Sequence, residues 1–417
     1  MLPPAQTRPG SAREGGSPRS AWLLLGPAFV AAIAYVDPGN VAANVSAGAQ
    51  FGFLLVWVIV LANVMAGLVQ YLSAKLGLVT GRSLPESVAD HTRTPTRIVY
   101  WLQAELVAMA TDLAEVVGGA IALHLLFDLP LLLGGVITGV VSMALLALQN
   151  RRGQRVFERV ITGLLMVIAV GFLTSLFVET PAPSEVAGGL VPRFEGAESV
   201  LLATAMLGAT VMPHAVYLHS GLARDRHGHP KAGPQRRRLL KATRFDVTFA
   251  MLVAGAVNLA MLLVAAVNLQ GLDNTDSIEG AHAAVQQTLG PTVALLFAIG
   301  LLASGLASTS VGAYAGAMIM GGLLRRSYPL LLRRLITLIP ALVILAIGVD
   351  PSRALVLSQV VLSFGIPFAL IPLIRLTGDR ALMGEDVNHR VTSVLGWLVA
   401  ALITLLNVVL IYLTVTG

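Results

Sequence analysis

The sequence predicts an all-α integral membrane protein of eleven transmembrane helices, built as two inverted repeats with helices 1 and 6 unwound near their middles. Three observations lead there. Of the 417 residues, 56% are hydrophobic and only 12% are charged, against about 25% charged in an average soluble domain. The basic residues gather in alternate connections between apolar runs. Matching helix-breaking motifs fall in the first and sixth of those runs.

Residues 1–20, MLPPAQTRPGSAREGGSPRS, are polar, basic and rich in Pro, Gly and Ser, the composition of a disordered tail. The apolar segment that follows has no convincing small-residue cleavage site, so it reads as the first span and not as a removed signal. Spans are expected at roughly 21–47, 52–78, 97–126, 130–149, 156–178, 197–222, 243–269, 291–323, 328–348, 352–374 and 391–415. The connections are short, so 21–417 reads as a single transmembrane domain. Its repeats cover about 21–178 and 197–374, with an extra span at 391–415.

With the N-terminus inside, 26 of the 28 Lys and Arg residues fall on one side; only Arg193 and Arg353 do not. This positive-inside pattern implies a multi-pass protein of the cell (inner) membrane, N-terminus cytoplasmic and C-terminus external. It also accounts for the pI near 10 without a nucleic-acid partner. The external connections carry Glu179, Glu185, Glu195, Asp273, Asp276 and Glu279 instead. Cysteine is absent, which excludes disulfides, thiolate metal sites and cysteine nucleophiles. No HExxH or Ser–His constellation lies at membrane depth, so an enzyme is not indicated. Nothing points to a resident cofactor or an obligate protein partner.

Spans 1–5 begin inside and spans 6–10 begin outside, so any repeat is inverted, a pattern of secondary transporters. Span 1 carries Asp37-Pro38-Gly39-Asn40 and span 6 carries TVMPHAVYLHS, residues 210–220. Pro38 and Pro213 lack an N–H and clash with the preceding turn. Asp37 and Met212, each before a proline, are pushed from helical geometry. The carbonyls of Ala34 and Ala209 thereby lose their helical partners, which at membrane depth requires a cavity or buried protein surroundings. Proline kinks alone are ordinary in membrane helices. An aspartate at mid-span costs about 2.5–3.5 kcal/mol to insert and marks function. Asp37, Asn40 and the two carbonyls offer oxygen, and Met212 a soft thioether. Most of the 12 methionines must serve packing; the position before Pro213 sets Met212 apart. Calcium and magnesium gain little from sulfur, so the set suits Mn²⁺, Fe²⁺, Co²⁺ or Cd²⁺.

These motifs, DPGN within GPAFVAAIAYVDPGN and MPH within MPHAVYLHS, resemble the paired signatures of the Nramp divalent-metal transporters, and the likeness extends over all eleven spans. The resemblance implies a LeuT-like fold and uptake of Mn²⁺ or Fe²⁺ together with protons. It implies metal ligation by Asp37, Asn40, Met212 and the carbonyls of Ala34 and Ala209, with Gln359 joining in some states. Where the family often has asparagine after MPH, this chain has Ala215.

Span 3 carries Glu105, Asp112 and Glu115 within a helical sector about 80° wide, too costly to face lipid. They read either as a polar path or as static ion pairs, with Arg333 and Arg334 as basic partners. His214 adjoins the break, and histidine as a residue type is suited to proton exchange. His219 suits a structural hydrogen bond equally well. The resemblance implies that Asp37 takes or releases the coupled proton and that His214, Asp112, Glu115 and Arg334 continue the route. The small residues of GLASTSVGAYAGAMIMGG in span 8 suggest close packing. The alternative function is a LeuT-fold carrier for an amino acid or a harder divalent cation. Asp37 argues against an anionic ligand there.

Overall fold

The computed structural model describes residues 27–152, 163, 165–167, 169–170, 173, 181–272, 277–326 and 329–416. The expected tail, most of the fifth span, the basic run beyond residue 152, and Glu179, Asp273 and Asp276 lie outside the described residues.

Every described element is helical. The chain forms α1 (Pro27–Ile33), a 3₁₀ turn (Ala34–Val36), α2 (Pro38–Phe51), α3 (Val56–Thr80), α4 (Leu84–His91), α5 (Thr94–Phe127) and α6 (Leu131–Arg152). After these come α7 (Pro183–Gly188), α8 (Gly196–Thr210), α9 (Pro213–His227), α10 (Pro234–Asn268), α11 (Ile278–Thr288) and α12 (Pro291–Leu324). The rest are α13 (Leu330–Ile347), α14 (Pro351–Gly378), α15 (Arg380–Met383) and α16 (Arg390–Thr416). By length and composition 7 described helices can cross a membrane: α3, α5, the α8–α9 pair, α10, α12, α14 and α16. The chain is therefore an all-α, multi-pass membrane protein. Large apolar side chains on the outer faces of α13 and α16, among them Leu335, Ile336, Leu398 and Leu405, stay exposed where lipid would cover them.

The long helices overrun the bilayer. The helix α10 begins at Pro234, not near 243, because the arginine-rich QRRRLLKATR continues the helix into the polar layer. Four short helices, α4, α7, α11 and α15, occupy connections read from the sequence as loops. The start of α4 is set by Ser83, whose N–H donates to Glu86 Oε2 at 2.7 Å, half of a capping box.

Two features bring the elements close. Backbones approach at glycine: a Cβ on Gly77 of α3 would lie 1.9 Å from the Ser220 carbonyl oxygen of α9, and one on Gly208 of α8 would lie 2.0 Å from that of Gln359 in α14. Proline kinks receive donors from neighbours. Pro367 within α14 removes the amide that would bond Ser363 O. Asn407 of α16 donates to that carbonyl through Nδ2 at 3.0 Å and accepts from Ser363 Oγ at 2.7 Å.

Gly77→Val is expected to lower the thermal unfolding midpoint in detergent, because overpacking costs about 1–3 kcal/mol and the obstructing atom is backbone. Gly321→Ala, with nothing within 4 Å of its added carbon, should leave the midpoint unchanged or slightly raised. Equal midpoints for the two variants would contradict the α3–α9 approach.

Candidate functional site

Helical hydrogen bonding stops twice near the middle of the molecule. After α1 the chain makes its 3₁₀ turn, Asp37 is extended (φ −75°, ψ 167°), and α2 starts at Pro38. After α8 it passes through Val211 and Met212, and α9 starts at Pro213. Asp37, Asn40, Ala34, Ala209 and Met212 are all fully buried.

The two interruptions meet. Asp37 caps α2, its Oδ1 accepting from the Asn40 N–H at 2.8 Å. Asn40 Nδ2 donates across to the Ala209 carbonyl at 2.8 Å, which Pro213 leaves without a helical donor. Gln359 of α14 lies over Gly39, where any side chain would strike its amide, and its Nε2 donates to Asp37 Oδ2 at 3.4 Å. Gly118 of α5 makes the same allowance for Pro38, a Cβ there falling 2.0 Å from the proline ring. Asn40 Oδ1 and Gln359 Oε1 are buried and have no hydrogen-bond donor among the described residues. One carboxylate thus sits beside two amide oxygens with unfilled lone pairs. Among the described residues no three His, Asp or Glu side chains gather into a metal-binding group. A cation held here would rely on one acid and neutral donors.

The other carbonyls freed by the first break are occupied. Asn258 Nδ2 of α10 donates to Tyr35 O at 2.9 Å, and Ser304 Oγ of α12 donates to Val36 O. The Tyr35 hydroxyl contacts Gln70 of α3, whose Oε1 lies 2.6 Å from His219 Nδ1. His219 is therefore linked to the first break through Gln70 and Tyr35.

A second polar cluster lies along α5. Arg333 pairs with Glu105 at 2.9 Å. Arg334 pairs with Asp112, lies 3.8 Å from Glu115, and donates from Nε to Ser142 Oγ of α6 at 3.3 Å. Room comes from α12. A Cβ on Gly316 would sit 2.0 Å from Arg333 Nη1, and one on Gly312 would sit 3.0 Å from Glu115 Oε1. The small residues of span 8 thus accommodate charged groups as well as helix packing. His214 joins the two clusters: its Nδ1 lies 3.3 Å from the hydroxyl of Thr111, the neighbour of Asp112.

Sequence reading missed Tyr35, Gln70, Thr111, Ser142, Asn258 and Ser304. A polar amide inside an apolar run, as at Gln70 and Asn258, was the available signal. Serine and threonine offered none, since they satisfy themselves on their own helix, as Thr111 does on Val107 O.

A family model described as "Natural resistance-associated macrophage protein-like" matches residues 28–413. The chain belongs to the Nramp family. A Mycobacterium tuberculosis relative named "Divalent metal cation transporter MntH" is 72% identical over 399 residues, covering 96% of this chain and 93% of that protein. The crystal structure of a manganese transporter mutant from Eremococcus coleocola superposes with a TM-score of 0.84 at 32% identity, over 96% of this chain and 89% of that one. MHP1, a nucleobase-cation-symport-1 family transporter, superposes at 0.61 with 16% identity over 93% of this chain and 91% of its own. At that identity the likeness is one of fold alone. Membership also makes it a carrier and not an enzyme.

Arg334→Met is expected to destabilise the protein by about 3–5 kcal/mol, because it strands Asp112 and Glu115 in the interior without their countercharge. Arg237→Gln removes an exposed pair with Glu385 and should leave the unfolding midpoint where it is. Comparable midpoints for both variants would show that the α5 carboxylates do not depend on Arg334.

Proposed function

We propose that this chain is a proton-coupled secondary transporter that imports divalent transition metals, Mn²⁺ or Fe²⁺ and also Co²⁺ and Cd²⁺, by alternating access. The relatives' names support the substrate class. The observation that carries the reading is the meeting of the two helix breaks, with Asp37 beside the unfilled oxygens of Asn40 and Gln359. Asp37 supplies the charge, and Asn40, Gln359 and the carbonyls of Ala34 and Ala209 supply neutral oxygen. Met212 supplies sulfur, which favours softer divalents over Ca²⁺.

The architecture proposed with it has eleven spans in one domain over 21–417, inverted repeats over about 21–178 and 197–374, and an extra span at 391–415. Residues 1–20 form a cytoplasmic tail, and the C-terminus is external. The distribution of basic residues supports that orientation.

Metal binding requires ionised Asp37, so metal and proton compete for one carboxylate, a physical basis for coupling. Protons leaving Asp37 have a polar continuation in His214, Thr111, Asp112, Glu115 and Arg334, with Glu105 further along α5 and paired with Arg333 of α13. His219, bonded to Gln70, is placed to hold the cytoplasmic half of span 1.

In proteoliposomes Asp37→Ala is expected to abolish Mn²⁺ uptake; saturable uptake by this variant would remove Asp37 from the ligand set. Met212→Ala is expected to retain reduced Mn²⁺ uptake and to admit Ca²⁺. Undiminished exclusion of Ca²⁺ would show that the thioether is not the selector.

A further inference from the structure

The first third of α10 carries charge that neither the metal site nor the α5 cluster uses. Arg237, Arg238, Lys241 and Arg244 are exposed there. At about 100° per residue they share one face, and Phe245, Phe249 and Leu252 extend that face deeper along the helix. These three are 62%, 45% and 61% exposed. The cations occupy about 10 Å of helix and the apolar side chains about the next 10 Å.

The arrangement is locally unfavourable. Cations near a helix N-terminus oppose the macrodipole, and α10 opens with arginine at 236, 237 and 238. Asp386 pairs with Arg236 at 2.6 Å. The remainder of the face is poorly compensated. Arg237 meets Glu385 only at 3.4 Å, with both side chains in solvent. Arg238 and Lys241 have no ion-pair partner among the described residues. The Arg244 guanidinium is held in place, 4.9 Å above the Tyr71 ring of α3 with Nη2 donating to the Tyr71 hydroxyl at 3.4 Å. Below it Phe245 and Phe249 stack 6.3 Å apart at 3°.

We propose that this face binds an anionic phospholipid of the adjacent leaflet. The headgroup phosphate lies among Arg238, Lys241 and Arg244, and the acyl chains lie along Phe245, Phe249 and Leu252. The cations match a net negative headgroup, which a zwitterionic lipid lacks. The apolar continuation matches acyl chains, which a soluble anion lacks. The site also touches the first broken span. Phe249 meets Phe29 of α1 edge-on at 5.7 Å, and Asp246 accepts from the Ala28 N–H at 3.2 Å. Bound lipid therefore braces the half of span 1 that precedes Asp37. The inference rests on the membrane-spanning fold and not on the metal ligands.

The test is native mass spectrometry of the full-length protein from vesicles of phosphatidylcholine mixed with phosphatidylglycerol, scoring retained lipid. The wild type should retain phosphatidylglycerol in preference. R238Q and K241Q should each weaken that preference about fivefold, and R238Q/K241Q/R244Q by about two orders of magnitude. R375Q/R380Q/R390Q loses equal charge elsewhere and should keep the preference. Unchanged retention by the single and triple variants would overturn the site. So would an equal loss in the control triple, which would reduce the effect to net charge. Displacement of the lipid by inorganic phosphate would also overturn it, in favour of a soluble-anion site. Mn²⁺ uptake into phosphatidylcholine vesicles, run alongside, reports on the metal site separately.

Discussion

A backbone carbonyl that loses its helical donor inside a membrane protein must find another partner, and this structure is organised around meeting that demand. Prolines at 38, 213 and 367 each remove a donor from a buried helix. Each loss is met, or left open, by a residue from a different helix. Asn40 serves Ala209 O, Asn407 serves Ser363 O, and Asn258 and Ser304 serve the carbonyls of Tyr35 and Val36. Single hydrogen bonds thereby fasten α10 and α12 to the first break, join α2 to the second, and fasten α16 to the kink in α14. The glycines at 39, 118 and 208 allow that closeness.

Acceptors remain once these donors are placed. Asn40 spends its amide N–H on Ala209, which leaves its buried oxygen with no donor among the described residues. Gln359 leaves its own oxygen open in the same way. Oxygen lone pairs beside a carboxylate in a low-dielectric interior attract a cation far more strongly than they would in water. The buried Arg333 and Arg334 stand apart on α13, neutralised by the α5 carboxylates, so they do not cancel that attraction.

Much of this was legible in the sequence because membrane insertion makes polarity expensive. Asp37 stood out at mid-span, the prolines announced the breaks, and the clustering of Glu105, Asp112 and Glu115 on one helical sector required a buried polar surface. What could not be read was which polar group answers which. Asn40 and Ala209 are far apart in sequence, and only the packed structure shows that they share a bond. Short connection helices such as α7 and α11 were missed because they lack the apolar length that identifies a span. The repair of α14 at Pro367 could not be read either, since it comes from Asn407 in α16, distant in sequence. The charged role of Gly312 and Gly316 was hidden because absent side chains look alike whether they admit a helix or a guanidinium.

The central claim is that the two breaks together form one transition-metal site. X-ray diffraction at the manganese absorption edge, from crystals grown with Mn²⁺, tests it most directly. The account predicts an anomalous peak within bonding distance of Asp37, the Asn40 oxygen and the Met212 sulfur. A dominant peak elsewhere, or one at Asp37 with Met212 turned away, would contradict it.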